Sequence, residues 1–452
     1  MLLIVKGKYM KKSFVKYPFL TEDVEIYERE NGHKIVLAHK AGDLVNVSSW
    51  VKTGSINEDD KINGISHFLE HLMFKGTEKH VVGEFDRILE AKGGIVNAAT
   101  WKDYTYYYVT LPKGQNDENL YLAIDLHSDM MLGAILPEEE IGSPFDLDDK
   151  TVTDKRERHV VIEEIRMRKD QNWTKVYNAC NHNMYTQHPY KRDVIGTPEI
   201  ISQVTREQIM DYYKTYYTPK NITTIVVGDF DKEKVLDAVV KGFDFKDVKD
   251  APIIENIIDE PVSETKIVEN TTNANTGYAM FGFLGPKAKE LKDNITLDLI
   301  SIILGEGTSS RLYQNMIEKQ EEPLVNYVDS THYQFKDGNN FFIQANFRPD
   351  NKDVVIEAIK AELENLISEK ITDKEILKAK KKTKSHFAEC AETVSEIGET
   401  IGYYMTVCDD LKLVEDYLKL LENITVEDLE ASVKKYLDVN HAVISVLMPE
   451  QC

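Results

Sequence analysis

Apolar and polar positions change period several times along the chain, and each change marks an expected element. After the turn Asn31-Gly32, Ile35-Val36-Leu37 forms a compact apolar run. Val45, Val47, Ser49 and Val51 then recur at every second position, as in a strand with one buried face. Residues 24–58 are therefore expected to be strands. Between Gly64 and Thr77 the residues Phe68, Leu69, Leu72 and Met73 supply apolar surface for a buried helix. Phe85, Ile88, Leu89 and Lys92 suggest a second helix, closed by Gly93-Gly94. Ile95 to Leu111, rich in Tyr and Thr, reads as two strands, with Asn97-Ala98-Ala99-Thr100 on the first. Residues 117–135 read as helix. Residues 137–155, with Pro137, Pro144 and many acids, read as a solvated loop, and helix resumes from Lys155 to Lys169. Thr205-Arg206-Glu207-Gln208 has the form of a capping box, and Ile222 to Val227 is a strand ended by Gly228-Asp229.

Residues 243–266 are acidic, carry Pro252 and Pro261, and enclose Ile253, Ile254, Ile257 and Ile258, the pattern of a linker. Beyond it, Gly277 to Phe283 reads as strand and Ile295 to Leu304 as helix. Phe341, Ile343, Ala345 and Phe347 alternate as a strand, about 351–400 is charged and helical, and Val443 to Met448 is strand. The two halves echo each other. Residues 205–228 and 425–448 align without a gap, pairing Thr205 with Thr425, Glu207 with Glu427, Lys214 with Lys434 and Tyr216 with Tyr436. A duplicated α+β unit accounts for this. The expected fold is α+β, two homologous α/β-sandwich units in tandem, over 20–245 and 267–452 with 246–266 between them.

At 452 residues the chain is long enough for two or more cores, and 42% apolar with 29% charged residues is ordinary for a globular protein. No apolar run approaches the roughly 18 residues of a membrane span, and Met1-Leu2-Leu3-Ile4-Val5-Lys6 is too short to be a signal-peptide core. A cytoplasmic protein is expected, with no membrane partner. Cys180, Cys390, Cys408 and Cys452 form no C-x-x-C pair, which excludes the common thiolate zinc and redox motifs. A net charge of −22 argues against binding a phosphate backbone, so no nucleic-acid partner is expected. It favours basic peptides over acidic ones, although solubility alone also accounts for it.

The chemistry concentrates in Gly64-Ile65-Ser66-His67-Phe68-Leu69-Glu70-His71-Leu72-Met73-Phe74-Lys75-Gly76-Thr77. His67 and His71, at i and i+4, share one helix face and can share one tetrahedral zinc. Glu70, at i+3 from His67, lies beside that face, where a base must sit to take a proton from a zinc-activated water. The order H-x-x-E-H is the inverzincin signature. The whole segment resembles the active-site segment of the pitrilysin/insulinase family of zinc peptidases. Within it the chain is most similar to the short-chain branch that includes the mitochondrial processing peptidase β-subunit.

A catalytic zinc usually has a third protein ligand. The resemblance implies one in Glu157-Arg158-His159-Val160-Val161-Ile162-Glu163-Glu164, where the family carries a ligand glutamate and a second glutamate seven residues before it. Glu164 matches the ligand and Glu157 the acid that orients the site. Glu163 is the rival by sequence alone, turned about 100° away on the helix. The stretch from His71 to Glu164 is longer than the family's, with the excess in the Pro- and Asp-rich loop. Asn97, Ala98 and Ala99 match the edge strand on which family members bind peptide by β-augmentation. His188-Pro189-Tyr190 matches a segment that is structural in the family. His182 and His188 are weaker candidates for a metal, and His80, His127 and His159 read as surface or packing residues.

The resemblance implies a Zn²⁺-dependent endopeptidase that hydrolyses unfolded peptides or flexible tails with a metal-activated water and a glutamate base. The alternative is a non-catalytic core or scaffold subunit, a role in which motif residues are lost. Short-chain members dimerise to complete a chamber. Here Ser309-Ser310-Arg311-Leu312-Tyr313-Gln314 matches the lead-in to a substrate-contacting Arg/Tyr pair, but Ile317 stands in the arginine's place, and the tyrosine counterpart is Tyr327. The expected partners are therefore peptide substrates and a family member that supplies the missing clamp; a homodimer using Arg311 or Tyr327 instead is the alternative.

Overall fold

The computed structural model describes residues 2–5, 8–149, 156–246, 249–252, 254 and 257–450. Lys155, Ile253 and Cys452, named above, lie outside them. An eight-stranded sheet is built from β1 (Leu2–Val5), β2 (Lys8–Val15), β3 (Val24–Arg29), β4 (Lys34–His39), β5 (Leu44–Val51), β6 (Ile95–Thr100), β7 (Thr105–Pro112) and β8 (Ile222–Gly228). Its order is β1-β2-β3-β4-β8-β5-β7-β6. A five-stranded sheet holds β9 (Lys266–Thr272), β10 (Gly277–Leu284), β11 (Val325–Tyr333), β12 (Asn340–Phe347) and β13 (Val443–Pro449), in the order β11-β12-β10-β13-β9. Around these sheets lie helices that include α1 (Ile65–Met73), α2 (Glu157–Asp170), α3 (Asn172–Met184), α4 (Arg206–Tyr216), α5 (Leu291–Leu304), α6 (Val394–Thr406) and α7 (Val426–Tyr436).

The duplication is written into the strand order. Remove β1–β3 and the first sheet runs β4-β8-β5-β7-β6; the second runs β9-β13-β10-β12-β11, the same permutation five strands later. In each, one pair is parallel (β4 with β8, β9 with β13) and the rest are antiparallel. The aligned segments carry the same pieces. Thr205 caps α4 and Thr425 caps α7, each through a capping box, and each helix leads into the inner strand that pairs in parallel, β8 or β13.

Two compact units emerge, and neither is a continuous stretch. The first contains the described residues of Met1–Arg166, Arg192–Glu255 and Phe387–Glu415; the second contains those of Met167–Lys191, Asn256–His386 and Asp416–Cys452. The contiguous spans 20–245 and 267–452 therefore divide the chain differently from the packing. Helix α3 packs with the second sheet, on β10 and β13, and α6 with the first, on β5 and β8.

In the first unit Val45, Val47 and Val51 of β5 and Tyr107, Val109 and Leu111 of β7 face the core, against Phe68, Leu69, Leu72 and Met73 of α1. The pattern of β5 implies one buried face, yet both are buried, because α6 covers Asn46, Ser48 and Trp50. Gly402 makes that cover possible, since a Cβ there would collide with the Trp50 ring. Other differences from the sequence reading lie where polar residues mask strand character. β9 and β11 are edge strands that mix polar residues among apolar ones, Glu269, Asn270, Thr271 and Thr272 in β9 and Asn326, Asp329, Ser330, Thr331 and His332 in β11, without apolar alternation. A short helix, Glu138–Ile141, interrupts the expected loop, and the charged region after 351 divides into Lys352–Ser368, Asp373–Glu389 and α6.

Candidate metal centre

Helix α1 is fixed at its start and along its apolar side. The buried Glu58 carboxylate accepts from Asn63 Nδ2 at 2.7 Å and from the backbone N–H groups of Gly64 at 2.7 Å and Ser66 at 2.9 Å. It therefore satisfies donors that a helix start leaves open. Gly64 has φ 95°, and a Cβ on it would collide with Ile195 and Gly196, so the helix enters where only glycine fits. Phe68, Leu69, Leu72 and Met73 are fully buried, which leaves His67, Glu70 and His71 to face the site.

The structure brings together three of the residues singled out from sequence. One ligand atom each of His67, His71 and Glu164 lies within 4.8 Å of the others. Glu164 Oε2 is 3.6 Å from His67 Nε2 and 3.5 Å from His71 Nε2. Bonds of about 2.0–2.2 Å at tetrahedral angles would place such atoms about 3.3 Å apart, so two imidazoles and a carboxylate here suit a zinc ion. Glu163 lies elsewhere: its side chain is 66% exposed, against 21% for Glu164, and it pairs with Arg166 at 2.6 Å. Of the residues described, only His67, His71 and Glu164 form such a group; His182 and His188 do not.

Glu157 stands on the other side of His71. Its Oε2 is 3.1 Å from His71 Nδ1, and its Oε1 is 2.6 Å from Lys75 Nζ. This contact engages Nδ1 and leaves Nε2 toward Glu164, the arrangement that fixes an imidazole as a ligand. Burial pulls the His71 pKa down, but Glu157 and Glu164 outweigh it and push it up to about 9 in the metal-free protein. Burial pushes the Glu157 pKa up, while His71 and Lys75 more than reverse this and hold it below the ordinary carboxylate value. A metal that needs neutral imidazole must displace that proton.

Glu70, 9% exposed, accepts from Thr100 Oγ1 at 2.5 Å. Thr100 ends β6, the edge strand that carries Asn97, Ala98 and Ala99. Ala98 packs on the core side; Asn97 and Ala99 alternate to the other face. Sequence reasoning missed Thr100, Lys75, Glu58 and Arg158. Arg158 is buried beside Glu157; its guanidinium donates to the carbonyls of Gly142 and Ile201 and lies 5.4 Å from the Phe68 ring, which holds α2 against α1. Lys75 could have been found as the i+4 neighbour of His71; nothing in the sequence marks Arg158 among so many surface charges.

In the second unit Arg311 is committed to the fold, with Nε 2.7 Å from Glu375 Oε1 and Nη2 3.1 Å from Oε2. Ile317 sits in a π-helical turn, Gln314–Glu318. Tyr327, on β11, is 45% exposed.

Known proteins match this chain along its length. The family described as Insulinase (Peptidase family M16) matches residues 34–198, and that described as Peptidase M16 inactive domain matches 203–383. The chain is 30% identical over 428 residues to the zinc protease PqqE of Helicobacter pylori, covering 93% of this chain and 91% of that one. It is 23% identical over 474 residues to a probable mitochondrial-processing peptidase subunit beta of Arabidopsis thaliana, covering 99% and 86%. The crystal structure of a protease from Helicobacter pylori superposes with a TM-score of 0.83 at 29% identity, over 97% of this chain and 100% of that chain. With both halves matched in order and the paired strand permutation that the duplication requires, this chain belongs to the peptidase M16 (insulinase) family.

Proposed function

We propose that the chain is a zinc-dependent endopeptidase acting on unfolded peptides or flexible protein tails. The observation that carries this reading is the convergence of His67, His71 and Glu164 next to Glu70 at the end of an edge strand. Zinc held by those three would supply Lewis-acid activation of water. Glu70 is the general base and then the acid that returns the proton to the leaving amine. Thr100 Oγ1 donates to one Glu70 oxygen and helps fix the carboxylate's orientation. Glu157 is a positioning residue that orients His71, with Lys75 balancing its charge. A peptide pairing with β6 along Asn97, Ala98 and Ala99 would bring its backbone to the site without demanding a side-chain sequence. Retention of all four motif residues in working positions supports an enzyme over a scaffold subunit.

No helix among the described residues is long and apolar enough to cross a membrane. The proposed reading keeps the expected cytoplasmic location. It also pairs the chain with a family member that supplies an Arg/Tyr clamp, since Ile317 replaces the arginine and Arg311 is held by Glu375.

Metal analysis and cleavage of an unstructured peptide test the proposal. Glu70→Gln should keep about one zinc per chain and lose cleavage by about 10³-fold or more, because the amide takes no proton. Near-normal cleavage by that variant would remove Glu70 from its role, and a wild type that binds no zinc would end the reading.

A further inference from the structure

Helix α6 does not fill all the space above β5. Ser395 and Glu399, at i and i+4, share one side of α6, and that side faces Asn46 and Ser48. The helix lies close there: a Cβ on Gly398 would stand 2.7 Å from Asn46 Oδ1. Beside this contact a cavity of about 50 Å³ remains, lined by Asn46, Ser48, Trp50, Tyr106, Ser395 and Glu399. All of these residues belong to the first unit.

The polar atoms around the cavity are mostly acceptors. The Asn46 amide donates to Thr110 Oγ1 at 2.9 Å and to Ser395 Oγ at 3.4 Å, and Thr110 and Ser395 bond each other at 2.8 Å. Asn46 Oδ1, Ser48 Oγ and Trp50 Nε1 are buried without a hydrogen-bond partner among the described residues. Asn46 and Ser48 are each 2% exposed, so bulk solvent does not serve them. Glu399, an exposed residue, stands at the mouth. Desolvation beside the sheet and the nearby Glu396 raise its pKa. None of the residues lining the cavity is basic, so none balances that carboxylate.

We propose that this cavity binds a monovalent metal cation, sodium or potassium, between Asn46 Oδ1, Ser48 Oγ and the Glu399 carboxylate. Hard cations take carbonyl, hydroxyl and carboxylate oxygens. One carboxylate balances one positive charge, whereas divalent calcium usually gathers several carboxylates. The space exceeds the roughly 10–15 Å³ that one water needs, so the ion keeps part of its hydration. A retained water also gives Trp50 Nε1 an acceptor. The ion ties α6, through Glu399, to β5, through Asn46 and Ser48. Because it binds only where helix and strand meet, it stabilises the folded unit by mass action.

Thermal unfolding of the full chain at a fixed zinc concentration tests the site without reference to peptide cleavage. Sodium, potassium and choline chloride are compared at about 200 mM each, so that screening is constant. The midpoint should be about 2–4 °C higher in sodium or potassium than in choline, which is too large for the cavity. Glu399→Gln should abolish that difference. Ser48→Val, which removes an oxygen and puts a methyl in the cavity, should abolish it independently, and so serves if the first variant folds poorly. Crystals grown in rubidium chloride should show an anomalous peak between Asn46, Ser48 and Glu399. Equal wild-type midpoints in the three salts, a difference that survives in both variants, or a rubidium peak only elsewhere would overturn the site. A larger rise in calcium chloride at the same ionic strength would overturn its assignment to a monovalent ion.

Discussion

The site depends on which of two adjacent glutamates faces inward. Glu164→Gln should lower zinc occupancy at limiting metal by at least tenfold, whereas Glu163→Gln should leave it unchanged; metal titration of both variants checks this. The converse result would place the ligand on the wrong face of α2. A second residue-scale consequence concerns His127, buried with its Nε2 3.0 Å from Ser49 Oγ. Burial pulls its pKa down to about 3, against an ordinary value near 6.5. Between those values the unfolded chain binds a proton that the folded chain refuses. Stability contributed by neutral His127 is therefore present above about pH 6.5 and lost as pH falls toward 3, by at most about 1.4 kcal/mol per pH unit. His127→Gln keeps a polar partner for Ser49 and removes that proton. Its unfolding free energy, measured by denaturant titration between about pH 4 and 6, should fall less steeply than the wild type's, by up to one proton.

At the scale of elements, the packing of α6 on β5 is the most exacting contact in the first unit. Gly402→Ala should destabilise the protein by about 1–3 kcal/mol, because the methyl and the Trp50 ring cannot share the same space. Thermal unfolding would show it, and an unchanged midpoint would mean that the helix shifts at no cost. This contact also shows where sequence reading stops. Local pattern was enough for α1, α2, β5 to β8 and the capping boxes, because each is decided by neighbours within a few residues. The candidate pair His67 and His71 was legible for the same reason, and Glu157 and Glu164 through a resemblance that their seven-residue spacing suits. The polar row Asn46, Ser48 and Trp50 looked like a solvent face, since the helix that buries it lies about 350 residues away in sequence. Thr100 was equally hidden. Its partner Glu70 is 30 residues off, and only the closing of β6 against α1 brings the hydroxyl to the carboxylate.

For the whole molecule, the two units share one chain by exchange: the stretch around α3 leaves the first half to build the second unit, and the stretch around α6 does the reverse. Cutting at the sequence midpoint should therefore not give two stable domains. Residues 20–245 alone would expose Asn46, Ser48 and Trp50, and 267–452 alone would lack the helix that packs on β10 and β13. Expressed separately, each half should be insoluble or fail to unfold cooperatively, while the two co-expressed should recover a folded complex; circular dichroism and size-exclusion chromatography distinguish the outcomes. A cooperative transition from either half alone would show that its sheet tolerates the missing cover. The exchange also sets a clock. A ribosome delivers β5 some 350 residues before Ser395, whose hydroxyl meets Thr110 at 2.8 Å beside the same strand. At about 5–20 residues per second that interval is tens of seconds. For that time the half bearing the H-x-x-E-H motif has its sheet open on one side, so the candidate metal centre belongs to a unit whose covering helix is made long after the motif itself.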